Sequence, residues 1–109
     1  MKSIGIIAFS LLSVSPFCAF GADAKANWTN NCVQCHGQDG SANTAMGRML
    51  NAPNFTSADV QASFTDAQAF DVIKNGVIKN SESKMIAFRN LLTDDEIKAL
   101  VAYLRTLKK

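Results

Sequence analysis

Two of the three cysteines and the only histidine of the 109-residue chain fall together in Cys32-Val33-Gln34-Cys35-His36. On a helical turn, residues three and four apart share a face, so both thiols and the imidazole can point the same way. The trio admits three chemistries: a redox dithiol, part of a zinc site, or the attachment point of a haem. In the last, the two thiols add across the haem vinyl groups and the imidazole reaches the iron. A structural zinc site needs four Cys or His ligands. The mature chain, shorn of Cys18 with the leader described below, has no further thiol or imidazole to complete the set. A thioredoxin-like dithiol calls for a βαβ setting, and no stretch alternates convincingly at period two. Haem attachment is therefore the leading reading, with a dithiol or disulfide as its rival.

A haem iron has a second axial position, and the chain holds no second histidine for it. Met46, Met49 and Met85 are the mature-chain candidates. Met46 and Met49 lie close after the attachment residues, where packing in the core or pocket accounts for them. Met85 falls in the polar stretch VIKNSESKMIAFRN. An apolar thioether there needs a reason to point inward, and a Met/His pair is an established axial arrangement.

These residues need elements to hold them. Ala24, Ala26 and Trp28 suggest a short helix running from about Ala22 into the cysteines, stopped by Gly37. From Gly37 to about Ser63 the sequence is rich in loop formers, with one helical turn at Arg48-Met49-Leu50 and a break at Pro53. So long a loop in a small domain suggests that it wraps something large. Thr65 with Gln68 forms a capping box that opens a helix closed by Gly76. Thr93 with Glu96 forms a second box, followed by the stripe Ile97, Leu100, Val101, Leu104 and Leu107. With no strand pattern, the expected class is all-α.

Ahead of all this, Lys2, the apolar run from Ile4 to Val14, Pro16 and small residues have the layout of a signal peptide. Cleavage is expected near Gly21 or Ala24, which divides the chain into a leader, 1–21, and a domain, 22–109. The apolar run falls short of the ~20 residues that a membrane span requires, and Ser15-Pro16-Phe17 before Cys18 does not make a lipoprotein box.

The chain resembles the small mono-haem class I c-type cytochromes over nearly all of its mature sequence. The resemblance rests on Trp28 four residues before Cys32, on CVQCHG, on Asp39-Gly40 and on Val72 to Gly76. It continues through Lys84 to Phe88, Leu92 to Ile97 and Leu100 to Leu104. It implies a cytochrome c-like fold, about three main helices around one covalent haem c, the first and last crossing near Trp28 and Tyr103. It implies thioethers at Cys32 and Cys35 and axial ligation by His36 and Met85. Ile86 stands where the family often has proline. A proline carbonyl often accepts the proximal histidine's hydrogen bond in the family; Pro53 is the one proline of the mature chain, and another loop carbonyl would serve equally.

The expected function is one-electron transfer by a soluble, exported, periplasmic monomer that docks transiently with redox proteins at the haem edge, and not catalysis. The alternative is a haem c subunit held within a dehydrogenase or reductase complex. Lys74, Lys79, Lys84 and Arg89 lie near Met85 and are candidates to ring that edge and steer an acidic partner. A formal net charge of +2, with no long basic run, argues against nucleic acid.

Overall fold

The computed structural model describes residues 20–109, with side chains from Asp23 onward, and only residues 2, 3, 5–8 and 10 of the preceding segment. The leader expected over residues 1–21, Cys18 included, lies for the most part outside the described residues. No described helix is long and apolar enough to cross a membrane.

Helix α1 spans Phe20–Asn31. Its axis is almost continued by α2, Val33–His36. The i to i−4 bonds run through the junction, from Cys32 N–H to the Trp28 carbonyl and from His36 N–H to the Cys32 carbonyl, both at 2.9 Å. Gly37, at φ 77°, ends the run.

The loop-rich stretch then contains two short helices that the sequence reading reduced to one turn. Helix α3, Ala45–Leu50, is capped by Thr44, and α4, Ala58–Ala62, by Ser57. Both caps accept a backbone N–H through their hydroxyls, the device that Ser and Thr supply at helix starts.

Helix α5, Asp66–Asn75, and helix α6, Asp94–Arg105, both open on the expected capping boxes. Each box satisfies two of the donors that a helix start leaves unpaired. The apolar stripe of α6 is the centre of the core: Ile97, Leu100, Val101 and Leu104 are buried, with Trp28, Phe55, Ile73, Phe88 and Leu92 around them. Helices α1 and α6 cross as expected, with the Trp28 and Tyr103 rings 5.6 Å apart. Asn27 Nδ2 donates to Glu96 Oε2 at 3.1 Å beside that crossing.

One feature departs from an all-helical chain. Between α5 and α6, β1 (Val77–Lys79) and β2 (Glu82–Met85) form an antiparallel hairpin. Asn80 and Ser81 turn it at φ 53° and 63°, the doubly positive geometry that suits a two-residue hairpin loop. The pairing is irregular between Val77 and Ile78, which sets Val77 opposite Met85. The whole is a cytochrome c-like, mostly helical fold with this small sheet attached.

Candidate functional site

Cys32 and Cys35 are half-buried free thiols one helical turn apart, and His36 follows on the same turn. The carbonyl end of that turn is clamped from three directions. The Trp28 indole donates to the Gly37 carbonyl at 3.0 Å. Ala42 N–H reaches the His36 carbonyl at 2.8 Å. Thr44 Oγ1 donates to the Cys35 carbonyl at 2.7 Å while accepting from Gly47 N–H at 2.8 Å. Helix α3 lies so close that a Cβ at Gly47 would overlap the carbonyl oxygens of Cys35 and Ala42.

The imidazole of His36 stacks on Phe55, ring centroids 5.1 Å apart at 27°, with the Trp28 ring 5.8 Å away. Phe55 is held by its own backbone: its N–H donates to the Gly40 carbonyl, and its carbonyl accepts from Gln61 Nε2, both at 2.8 Å. Gln61 is buried and also donates to the Leu104 carbonyl at 2.8 Å, which ties this loop to α6. Arg105 completes the tie through Asp66 Oδ1, Gln61 Oε1 and the Phe64 carbonyl at 2.8–2.9 Å. Sequence reasoning missed Thr44, Gly47 and Gln61. The Ser57 cap was the available signal for Gln61, since it starts the helix that carries it.

Burial decides the protonation states. It pushes the Cys32 thiol up to about 11, and the neighbouring Cys35 adds to the shift. At neutral pH Cys32 is thus a thiol, whereas reactive dithiols have lowered values that expose a thiolate. Burial lowers His36 below the ordinary imidazole value, so the ring is neutral at pH 7 and its lone pair is available to a metal. His36 Nδ1 is buried without a hydrogen-bond partner; neither Pro53 nor another loop carbonyl reaches it.

Met85 ends β2, half-buried and packed against the core that Cys32 and Val33 also border. The other two methionines differ. Met46 is half-buried outside that cluster, and Met49 is 68% exposed and also outside it. The basic residues near Met85 are partly neutralised. Lys74 pairs with Asp94 and Lys84 with Glu82, each at 3.0 Å. Lys79 and Arg89 remain exposed and outside any ion pair among the described residues.

A family model described as cytochrome c oxidase, cbb3-type, subunit III matches residues 19–104. The chain belongs to the class I c-type cytochromes, in that family. Among solved structures, this cytochrome is similar to the KustC0563 c-type cytochrome, at 33% identity and a TM-score of 0.69. The match covers 80% of this chain and 99% of that one. A point mutant of the same protein matches at 34% identity and a TM-score of 0.68, over 79% and 99% of the two chains. The Kuenenia stuttgartiensis reducing HAO-like protein complex Kustc0457/Kustc0458 holds a chain that matches at 22% identity and a TM-score of 0.62. There the match covers 79% of this cytochrome and 41% of that chain, a likeness of fold. No curated protein matches the sequence significantly.

Membership implies covalently bound haem c and electron transfer. The residues fit such a group. Two unpaired thiols stand one turn apart, a neutral imidazole follows them with a ring nitrogen left unpartnered, and a thioether borders the same core.

Proposed function

We propose that this cytochrome is an exported one-electron carrier that binds a single haem c, with thioethers to Cys32 and Cys35 and axial ligation by His36 and Met85. The observation that carries the reading is the clamped helical turn, which presents two thiols and a neutral imidazole beside a core that Met85 also borders. Bound there, with His36 and Met85 as its iron ligands, haem c would supply one-electron chemistry and leave no ligand position for a substrate. The protein's own contribution is support. Phe55 and Trp28 pack the imidazole and keep water from it. Thr44, Ala42 and the Trp28 indole hold the backbone of the turn, so the His36 ring has a fixed base. Apolar surroundings such as this core would disfavour the extra charge of an oxidised haem and so raise its reduction potential.

The leader, 1–21, would deliver the chain to the periplasm, where thiols of this kind are joined to haem outside the cytoplasm. Partners would meet it transiently, and catalysis is not part of its role. With Lys74 and Lys84 already paired, Lys79 and Arg89 would carry most of any steering near Met85.

Expression with haem-attachment machinery tests the reading. The expected product carries covalent haem, visible by haem staining of a denaturing gel, at one per chain by alkaline pyridine spectroscopy. A colourless product, or a haem that denaturant strips away, would contradict it.

A second reading has its own support. The matching family is described by a subunit name, and one neighbour in fold belongs to a complex. In that case the domain would pass electrons within a fixed assembly. Gel filtration of the native protein separates the two: the carrier elutes as a monomer, the subunit with a large partner.

A further inference from the structure

Helix α5 ends at Gly76 with φ 75° and ψ −174°, a region of backbone space that is essentially closed to residues with a side chain. The space above Gly76 is closed as well. An ideal Cβ there would stand 2.6 Å from the Met85 carbonyl oxygen, 2.9 Å from Ala87 N and 3.0 Å from the Ile86 carbonyl carbon. All three are backbone atoms, which cannot turn aside as the tip of a long side chain can.

The Met85 backbone is fixed on both flanks of that contact. Upstream, the hairpin pairs Met85 with Val77, the residue after Gly76. Downstream, Phe88 N–H donates to the Ile73 carbonyl at 3.0 Å and Arg89 N–H to the Lys74 carbonyl at 3.2 Å. These are carbonyls of the last turn of α5, which a helix end otherwise leaves unpaired. The chain thus folds back over the end of α5, and its height above that helix at Met85 is set by the missing side chain of Gly76.

We propose that Gly76 is the positioning residue for the Met85 thioether: it lets the Met85 carbonyl approach the end of α5, and the turn at Asn80 and Ser81 holds the hairpin in that register. The proposal rests on the reading of Met85 as an axial ligand. A methyl group at position 76 lifts the Met85–Ala87 backbone and withdraws the sulfur from the site, while His36, on α2, is untouched.

The test is a titration of the ferric holoprotein with imidazole, followed in the Soret band, because imidazole competes with a methionine for iron. Met85→Ala should bind imidazole far more tightly than the wild type; an unchanged affinity would show that Met85 is not the ligand and remove the ground on which the proposal stands. Gly76→Ala should bind imidazole about tenfold more tightly, the ratio that 1.4 kcal/mol of lost positioning produces, and should weaken the methionine-to-iron band with the far-ultraviolet helix signal intact. An unchanged affinity in Gly76→Ala, beside a tight Met85→Ala, would overturn the role of Gly76 and leave the ligand in place. Asn27→Ala, which loosens the α1–α6 crossing instead, should leave imidazole affinity unchanged; an increase equal to that of Gly76→Ala would reduce Gly76 to a general structural residue. If Gly76→Ala does not fold, Ser81→Gly decides. It relieves the positive φ of the hairpin turn, so it should weaken imidazole binding by a few-fold, and no weakening would overturn the proposal.

Discussion

The His36 side and the Met85 side of the site are built by different means. His36 follows Cys35 on a single helical turn, and the bonds that hold that turn come from residues no further along the chain than Gly47. Met85 stands at the end of a three- to four-residue strand pair, and its restraints run to the hairpin partner and to the far end of α5. Both sides share one device. A glycine is pressed against the backbone on each side, Gly47 against the carbonyl of Cys35, the residue before His36, and Gly76 against that of Met85. The difference lies in how independent the parts are. The His36 turn has its geometry as soon as its helix and the α3 cap form, whereas Met85 acquires its position only when the hairpin docks on α5.

The largest expected effect lies at His36. Removing that ring by His36→Ala should bring covalent haem in the product down to background on a haem-stained gel, while Met85→Ala should leave a coloured, folded protein. Equal yields from the two variants would erase the proposed asymmetry.

A cavity in the shared core should hurt both sides at once. Leu100 is 1% exposed beneath the site, and Leu100→Ala should cost about 2–5 kcal/mol in denaturant unfolding of the holoprotein. A loss confined to the hairpin, seen as selective deprotection of β1 and β2 in hydrogen exchange, would show that the two regions do not share that support.

Thr44→Val acts on the His36 side alone. It leaves the Cys35 carbonyl and the Gly47 N–H without the hydroxyl that serves both, a loss of about 1–3 kcal/mol. The same unfolding experiment should show that loss with imidazole affinity at the Met85 side unchanged.

What the sequence disclosed follows the same division. The grouping of Cys32, Cys35 and His36 was legible because it is local: residue type and spacing alone bring two thiols and a ring together on one turn. The capping boxes of α5 and α6 were legible for the same reason, and so was the stripe that α6 buries. The hairpin was not. Its strands carry lysines, a glutamate and serine without alternation, and its turn is Asn-Ser, where the stronger signal would be Asn-Gly. It exists because the end of α5 offers carbonyls and a side-chain-free landing site, which no local pattern announces. Met49 illustrates the converse. An apolar residue beside Leu50 suggested packing, yet Met49 takes no place in the protein core. Gln61 was overlooked because a glutamine in a loop-rich stretch gives no hint of burial, and here the Phe55 carbonyl ahead of α4 and the Leu104 carbonyl and Arg105 guanidinium of α6 satisfy it.

The smallest expected effect concerns the α1–α6 crossing. The backbone N–H of Thr93 holds the Glu96 carboxyl below its ordinary value, with the side chain of Asn27 contributing next. A carboxylate whose value is depressed by folding adds stability above its unfolded value of 4.5 and loses it as pH falls through the lower folded value. Unfolding midpoints should therefore decline below about pH 4.5, and Glu96→Gln should flatten that part of the decline. An identical slope in the variant would remove Glu96 from the account.

The most direct measurement is the red-edge absorption band that a methionine-to-iron bond gives, recorded on the ferric wild-type protein and on Met85→Ala. The expected result is the band in the wild type and its loss in the variant, with covalent haem retained in both. A wild type without the band, or a variant that keeps it, would contradict the pairing of His36 with Met85.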